Sequence, residues 1–305
     1  MRVALWLLMV LGGRHDGGPE ATDRLVPTGW QGNPWGPAAT AARKAGQVPP
    51  IADTPLMTQW DRWGRKVLRT GDVLFRRGDA RILGGLFPFS RFIANVSGSK
   101  YSHIGTVVVE DGEPVVYDTT KAGVRRQPLK VWVLDNTGEF AVKRLKPEAR
   151  GRIPKVVEYL HQVYEQQVPF DYDLAIDDRG LYCVEMAEKA FRHSGLTLSE
   201  PILLADMENI EQFPLCVLGF TSLAGLKLDQ AVFFPGNERH GIWSSPLLET
   251  VYPPPAARAV RPAATPPTTT PPASNAAPKP GPRPAAASAP RAKSVAGRPA
   301  TTPRN

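Results

Sequence analysis

The dipeptide Asp111-Gly112 constrains the fold of this chain more than any other feature, because it fixes a β-hairpin together with its register. Two apolar runs, "HIGTVVVE" and "EPVVYDTT", flank the dipeptide, and Asp-Gly between such runs is the strongest short-range hairpin signal. With two loop residues, Glu110 lies opposite Glu113, and the numbers of opposed residues sum to 223. The sequence therefore predicts which side chains share each face of the ribbon.

This register brings a histidine and a carboxylate together. His103 faces Thr120, and Asp118, two positions before Thr120, is the diagonal neighbour of His103 on the same face. Diagonal Cβ atoms lie roughly 7–8 Å apart, a gap that an imidazole and a carboxylate can bridge. A carboxylate beside an imidazole fixes its tautomer and stabilises the cation. The sequence thus predicts a His103–Asp118 pair, although in an isolated hairpin a half-buried histidine and a strand-end charge are the plainer interpretation.

A cysteine stands at the first turn of a predicted helix, "LYCVEMAEKAFRHSGL". Free N–H groups and the positive dipole end at a helix N-terminus lower the pKa of a thiol and stabilise an oxyanion beside the sulfur. Cys183 and the His103–Asp118 pair are the parts of a nucleophilic Cys–His–acid site. Because the sequence does not fix a meeting of Cys183 with His103, a buried helical cysteine packed against Met186 and Ala187 is the alternative.

Hydrophobic periodicity predicts the elements around the hairpin. The predicted helices and strands cover residues 57–68, 153–164 and 181–196 (helices) and 69–75 and 139–145 (strands). An apolar stripe over residues 82–96 has a helical period, but Gly84, Gly85 and Pro88 break or kink it.

Towards the C-terminus we expect a loop and short strands near residues 216–224 and 229–236. Together these elements predict an α+β fold in which an antiparallel sheet or barrel packs against helices.

Composition divides the chain into three segments. Residues 1–54 hold a short apolar run, Val3 to Leu11, and then an irregular leader rich in Gly, Pro, Ala and Thr. The run is too short to span a bilayer and resembles the apolar region of a signal peptide, so we expect a periplasmic or secreted protein, with the cytoplasm as the alternative. Residues 55–252 form the predicted catalytic domain, and residues 253–305 form a tail that we expect to be disordered.

The net charge of +8 belongs to this tail, which carries six Arg and two Lys and neither Asp nor Glu. The rest of the chain is neutral, so the charge does not indicate a domain for sequence-specific nucleic-acid binding. The tail offers a weak contact to anionic polymers, and a solvated linker is the plainer interpretation. Cys216 lies in an apolar run, where a buried thiol is expected, and a disulfide with Cys183 stays open for an exported protein.

The motifs "GDVLF", "YSHIG", "VVYD" and "LYCVEMAEKAF", in this order, resemble the circularly permuted branch of the NlpC/P60 superfamily, the YiiX/YebB-like papain-fold cysteine hydrolases. The resemblance runs from about Thr70 to Gly195, with a looser continuation to about Gly236. It implies a permuted papain-like fold with Cys183 as the nucleophile, His103 as the general base and Asp118 as the third polar residue, a position that is often Glu in this branch.

Four further residues of these motifs have expected roles. Glu185 is expected to bond a loop backbone and Asp72 to organise a turn. Tyr101 and Tyr182 are candidates for lining the substrate site, with aromatic packing as the plainer account.

The resemblance implies a cysteine hydrolase or acyltransferase that cleaves an amide, ester or thioester in a peptidoglycan peptide or a lipid-like acyl substrate. Such acyl transfer needs neither a metal nor an organic cofactor. Two alternatives stay open: a catalytically silent scaffold of the same fold with the tail as a tether, and a nucleic-acid-associated protein that works through the tail.

Overall fold

The structure is a computed structural model that describes residues 30–81 and 87–251, with the side chains of residues 220, 223 and 224 left aside. The expected signal segment, the beginning of the leader, part of the apolar stripe (residues 82–86) and the expected disordered tail lie outside the described residues.

An antiparallel sheet of six strands organises the described part of the chain. The described residues contain eight strands in all, six in this sheet and two in a smaller one. They are β1 (Val73–Arg76), β2 (His103–Glu110), β3 (Glu113–Thr120), β4 (Gly123–Pro128), β5 (Phe140–Leu145), β6 (Ile202–Leu203), β7 (Ala231–Val232) and β8 (Leu248–Val251). The large sheet has the order β4-β3-β2-β1-β5-β8, and β6 pairs with β7 in a second, two-stranded sheet.

The predicted hairpin register is confirmed. Glu110 lies opposite Glu113 and Thr106 opposite Tyr117, so the opposed numbers sum to 223 as expected. Asp111 and Gly112 have φ values of 50° and 77°. Positive φ at both loop residues is what a type I′ turn requires, and its twist matches that of the flanking strands.

Seven helices lie among the described residues. They are α1 (Pro37–Lys44), α2 (Pro55–Val67), α3 (Phe89–Val96), α4 (Leu129–Trp132), α5 (Ile153–Glu165), α6 (Cys183–His193) and α7 (Pro214–Ala224). The predicted helices near residues 57–68, 153–164 and 181–196 are thus confirmed as α2, α5 and α6. In the described part of the apolar stripe, residues 87–96, helix α3 begins after Pro88, where the sequence predicts a break or kink.

The helices cover the two faces of the sheet. On one face, α5 and α6 pack their buried residues, such as Leu160 and Phe191, against Phe75 and Ile104 of β1 and β2. On the other face, α2 and α4 cover a cluster around Leu74. Because side chains alternate along a strand, β1 and β2 are apolar on both faces and buried between helices. The α+β prediction with an antiparallel sheet against helices is confirmed.

Several element predictions are wrong. The run at residues 216–224 is helix α7 and not a strand; an apolar run without a clear period does not distinguish the two. The strand expected at 229–236 shrinks to the two residues of β7.

The leader is also not irregular throughout, since α1 begins after Gly36 with Pro37 in its first turn, where proline is tolerated. Trp35, only 2% exposed, packs against Met57 and Val131 beside it.

Three strands, β4, β6 and β8, were not predicted. Strand β5 pairs with β1 and β8 and not with the hairpin.

None of the described helices is long and apolar enough to cross a bilayer. The boundaries of the leader, the catalytic domain and the tail stay predictions.

Candidate active site

Three elements meet at one end of β2. His103 is the first residue of β2, Asp118 lies near the end of the neighbouring β3, and Cys183 is the first residue of α6. Helix α6 begins there because Tyr182 has an extended backbone, and its carbonyl accepts the N–H of Met186 at 2.9 Å. The structure therefore brings the three predicted site residues together.

The histidine ring joins the acid to the thiol. The His103 Nε2 atom lies 2.7 Å from the Asp118 Oδ2 atom, as the hairpin register predicts. The Cys183 side chain shares a hydrogen bond with the same ring, and the backbone N–H of Ile104 donates to the sulfur. Since Nε2 faces Asp118, Nδ1 is the ring nitrogen that remains for the thiol.

The electrostatics of the pair favour a thiolate beside an imidazolium. Burial alone would lower the pKa of His103, but the charge of Cys183 and the hydrogen bond to Asp118 outweigh burial and the nearby Arg76, and they raise this pKa to about 9. Burial likewise opposes ionisation of Cys183, yet the charge of His103 and its hydrogen bond hold the thiol pKa below its ordinary value. The two shifts have one cause, because each charged form stabilises the other.

Asp118 itself is fully buried and anionic. Burial would raise its pKa, but Arg125 and His103 hold the pKa well below the usual range. The Arg125 Nε atom donates to Oδ1 at 3.0 Å and its Nη2 atom to Oδ2 at 2.7 Å. The indole Nε1 of Trp132 donates to Oδ2, also at 2.7 Å.

A second guanidinium lies beside this carboxylate. Arg76 stands opposite His103 in the register of β1 and β2, and its Nη2 atom is 4.0 Å from Asp118 Oδ2. Its Nη1 atom is 3.3 Å from an oxygen of buried Asp135, and the guanidinium stacks on the ring of Trp132. Sequence analysis missed these residues around the His103–Asp118 pair.

The two candidate lining tyrosines are almost completely buried, each at 5% exposure. The Tyr101 ring packs between Phe75 and Trp243, with centroid distances of 5.4 and 5.0 Å. The Tyr182 hydroxyl accepts the backbone N–H of Phe233 at 2.7 Å. These contacts are those of aromatic packing, and a role in substrate binding stays a prediction.

The expected roles of the two neighbouring acids are confirmed. The Glu185 carboxylate accepts the Tyr182 backbone N–H at 3.5 Å, and Asp72 accepts the Arg69 N–H at 2.9 Å in the turn before β1. Burial raises the pKa of Glu185 to about 7, against the opposing charge of Lys189. Cys183 and Cys216 are both free thiols, so the structure does not pair them, and Cys216 is only partly buried.

Comparison with known proteins agrees with this arrangement. The family described as "Permuted papain-like amidase enzyme, YaeF/YiiX, C92 family" matches residues 67–222. The chain therefore belongs to this permuted papain-like amidase family, which confirms the resemblance and the fold class. The family is named as one of amidase enzymes, which supports a hydrolase. Membership of the wider NlpC/P60 superfamily stays a prediction.

A solved structure shows the same fold. The crystal structure of the metalloprotein yiiX from Escherichia coli O157:H7 superimposes with a TM-score of 0.50 at 22% sequence identity, covering 61% of this chain and 97% of that one. No curated protein matches the chain.

Proposed function

We propose that the protein is a thiol amidase in which Cys183 attacks the substrate, His103 transfers the proton and Asp118 holds the histidine ring. One observation carries the proposal: a single imidazole, 12% exposed, contacts a carboxylate on one side and a helix-start thiol on the other. This is the geometry that nucleophilic catalysis by cysteine requires.

The acylation half begins with the thiolate–imidazolium pair. The Cys183 sulfur attacks the amide carbonyl carbon, and a C–S bond forms as the carbonyl oxygen takes up negative charge. The N–H groups at the start of α6 have no intrahelical acceptors and face this charge together with the positive dipole end of the helix. His103 then gives its proton to the leaving nitrogen, and the C–N bond breaks to release an amine.

The deacylation half uses the same groups with water. Neutral His103 takes a proton from water while the oxygen attacks the thioester carbon. The C–S bond breaks, the acid leaves and the thiolate–imidazolium pair is restored. Asp118 remains ionised throughout, and it stabilises the imidazolium whenever it forms.

As the substrate we propose a peptide or acyl amide, including the peptide of a cell-wall polymer. The amidase designation of the family favours an amide over an ester or thioester. Export, which the apolar run from Val3 to Leu11 indicates, would place the enzyme where such polymers occur.

The description of the yiiX relative as a metalloprotein does not transfer to this site. Both oxygens of Asp118 already accept hydrogen bonds from Arg125, and Oδ2 also from Trp132 and His103. A second guanidinium, that of Arg76, adds positive charge that a divalent cation would meet. No three His, Cys, Asp or Glu side chains of residues 30–81 and 87–251 are grouped so that they could hold a metal ion. These residues do not fit a metal, and no step is assigned to one.

The test is turnover by the full chain and by two cysteine variants, Cys183→Ser and Cys216→Ser, on peptidoglycan fragments, acyl-amino acids and peptide amides. We expect the full chain to hydrolyse an amide from this panel, Cys183→Ser to lose turnover, and Cys216→Ser to retain it. Residual hydrolysis by Cys183→Ser at the rate of the parent would contradict the proposal. A folded parent that binds panel members without cleaving any would favour the catalytically silent scaffold.

A further inference from the structure

The carboxylate of the site is fixed by groups other than the histidine. The Arg125 guanidinium donates one hydrogen bond to each oxygen of Asp118, and the Trp132 indole donates another. The side chains of Arg125 and Asp118 are both 0% exposed. Asp118 is therefore held in one orientation, with Oδ2 turned towards His103, by contacts that do not depend on the ring.

Arg125 and Trp132, which both donate hydrogen bonds to Asp118, are called the clamp here. Glycine at position 105 leaves the space that the Trp132 ring of this clamp occupies. A Cβ atom there would lie 3.3 Å from the Trp132 ring and 2.5 Å from a methyl group of Val116. Only glycine lets the indole and the neighbouring strand approach so closely. The clamp thus depends on three elements, since Arg125 comes from β4, Trp132 from α4 and Gly105 from β2.

Three charged groups face His103, two of them negative and one positive. The Cys183 thiolate on α6 and Asp118 on β3 are negative, while Arg76 on β1 is positive. Behind them, Arg125 on β4 pairs with Asp118, and Asp135 pairs with Arg76. Loss of the Arg125 guanidinium would leave a buried carboxylate short of two donors, a state that favours its protonation.

We propose that Arg125 is a positioning residue for the Cys183–His103 pair: by holding Asp118 ionised and oriented, it keeps the imidazole in place beside the thiol. This inference rests on the proposed function. The guanidinium donates to both oxygens of Asp118, and the carboxylate carries its effect to the ring. A neutral or rotated Asp118 would let the ring turn and would weaken the thiolate.

The chain contains a matched control. Arg144 grips buried Asp72 through the same two atoms, Nε and Nη2, at 2.7 Å each. That pair supports the turn before β1, where Asp72 accepts the Arg69 N–H and Arg144 donates to the Val67 carbonyl. Substitution of Arg144 therefore breaks a pair of the same geometry, although a less buried one, at a place other than the site.

The experiment measures the rate of Cys183 alkylation by iodoacetamide as a function of pH in full-length Arg125→Met, Arg125→Lys and Arg144→Met, with the modified site identified by mass spectrometry. The acid limb of the profile is the pH range in which the alkylation rate rises as the thiol ionises. For Arg125→Met we expect this limb to lie about one pH unit or more higher than in the parent, because each unit corresponds to a tenfold loss of thiolate. Lysine keeps the charge but not the bidentate fork, so Arg125→Lys should shift the limb in the same direction by less. Arg144→Met should melt at a lower temperature with the limb unmoved.

The proposal is overturned if folded Arg125→Met keeps the acid limb of the parent. If Arg125→Met does not fold, Arg125→Lys decides, and a parental limb in that variant overturns the proposal equally. Failure of the proposed function gives a different result: the parent itself would then show the acid limb of an ordinary thiol, at about pH 8.5.

Discussion

Two arginine–aspartate pairs beside one sheet have nearly the same geometry, but the pKa values of their aspartates shift in opposite directions. Arg125 and Arg144 each use Nε and Nη2 to grip both oxygens of an aspartate, Asp118 and Asp72 respectively, and both aspartates are 0% exposed. Burial outweighs Arg144 and raises the pKa of Asp72. At Asp118, by contrast, Arg125 and His103 outweigh burial, and the pKa falls.

The difference lies in what else each carboxylate receives. Asp72 accepts one backbone N–H, from Arg69, and closes a turn. Asp118 accepts the Trp132 indole and the His103 ring, which in turn bonds Cys183. The same bidentate arginine–aspartate pair therefore stabilises a turn at Asp72 and, in our proposal, supports catalysis at Asp118. What distinguishes the pair at Asp118 is the titratable ring of His103, which contacts this aspartate.

The largest contrast is expected from neutralising each acid. Asp118→Asn should lower kcat/KM by about 10²–10⁴-fold, because the amide no longer stabilises the imidazolium or fixes its tautomer. It should also destabilise the fold by ~3–5 kcal/mol, because Arg125 stays buried without a counter-charge. Asp72→Asn should destabilise by less, since the Arg144 side chain is 13% exposed, and its kcat/KM should equal that of the parent.

Steady-state kinetics on the amide identified by the turnover test, together with urea unfolding, measure both effects. Equal losses of kcat/KM in the two variants would mean that Asp118 acts only through stability, and the distinction between the pairs would fail.

A smaller contrast is expected in the pH dependence of stability. The folded-state pKa of Asp118 lies below its ordinary 3.8, so its charged form contributes stability that is complete above pH 3.8 and is lost as the pH falls through the folded-state pKa. The folded-state pKa of Asp72 lies above 3.8, so its contribution is present at low pH and is lost as the pH rises through the folded-state pKa. A folded-state pKa that differs by 1 from the unfolded-state pKa changes the free energy of unfolding by about 1.4 kcal/mol.

Urea unfolding of the parent, Asp118→Asn and Asp72→Asn between pH 3 and pH 6 checks these signs. The stability advantage of the parent over Asp118→Asn should shrink towards pH 3, and its advantage over Asp72→Asn should shrink towards pH 6. Differences that change in the same direction for both variants would remove the electrostatic contrast.

The sequence predicts the contact between His103 and Asp118 better than the contact between His103 and Cys183. Asp111-Gly112 and the alternation of the flanking strands fix the register, and the register places Asp118 beside His103. The helix-start position of Cys183 follows from the apolar period of α6. The contact between thiol and ring does not follow, because it depends on how α6 packs on the sheet, and local pattern does not encode that packing.

The clamp was missed because β4 does not look like a buried strand. In "GVRRQP" the face that carries Asp118 receives Arg125 and Gln127 where apolar residues are expected. One signal was available: Asp118 and Arg125 lie symmetrically about the turn at residues 121–122, and opposite charges at mirrored positions indicate a cross-strand pair. The error at α7 has another cause, because the run "PLCVLGFTSLA" is apolar without a helical period, and Leu215 within it is 82% exposed.

The central claim is that Cys183 is held as a thiolate by His103. The most direct test is the pH profile of iodoacetamide alkylation in a Cys216→Ser background, where Cys183 is the single thiol, with glutathione as the reference. We predict a rate that is nearly independent of pH around neutrality, because the charge of His103 lowers the pKa of the thiol and His103 stays protonated up to about pH 9. A rate that climbs tenfold per pH unit through neutrality, in parallel with glutathione, would contradict the account.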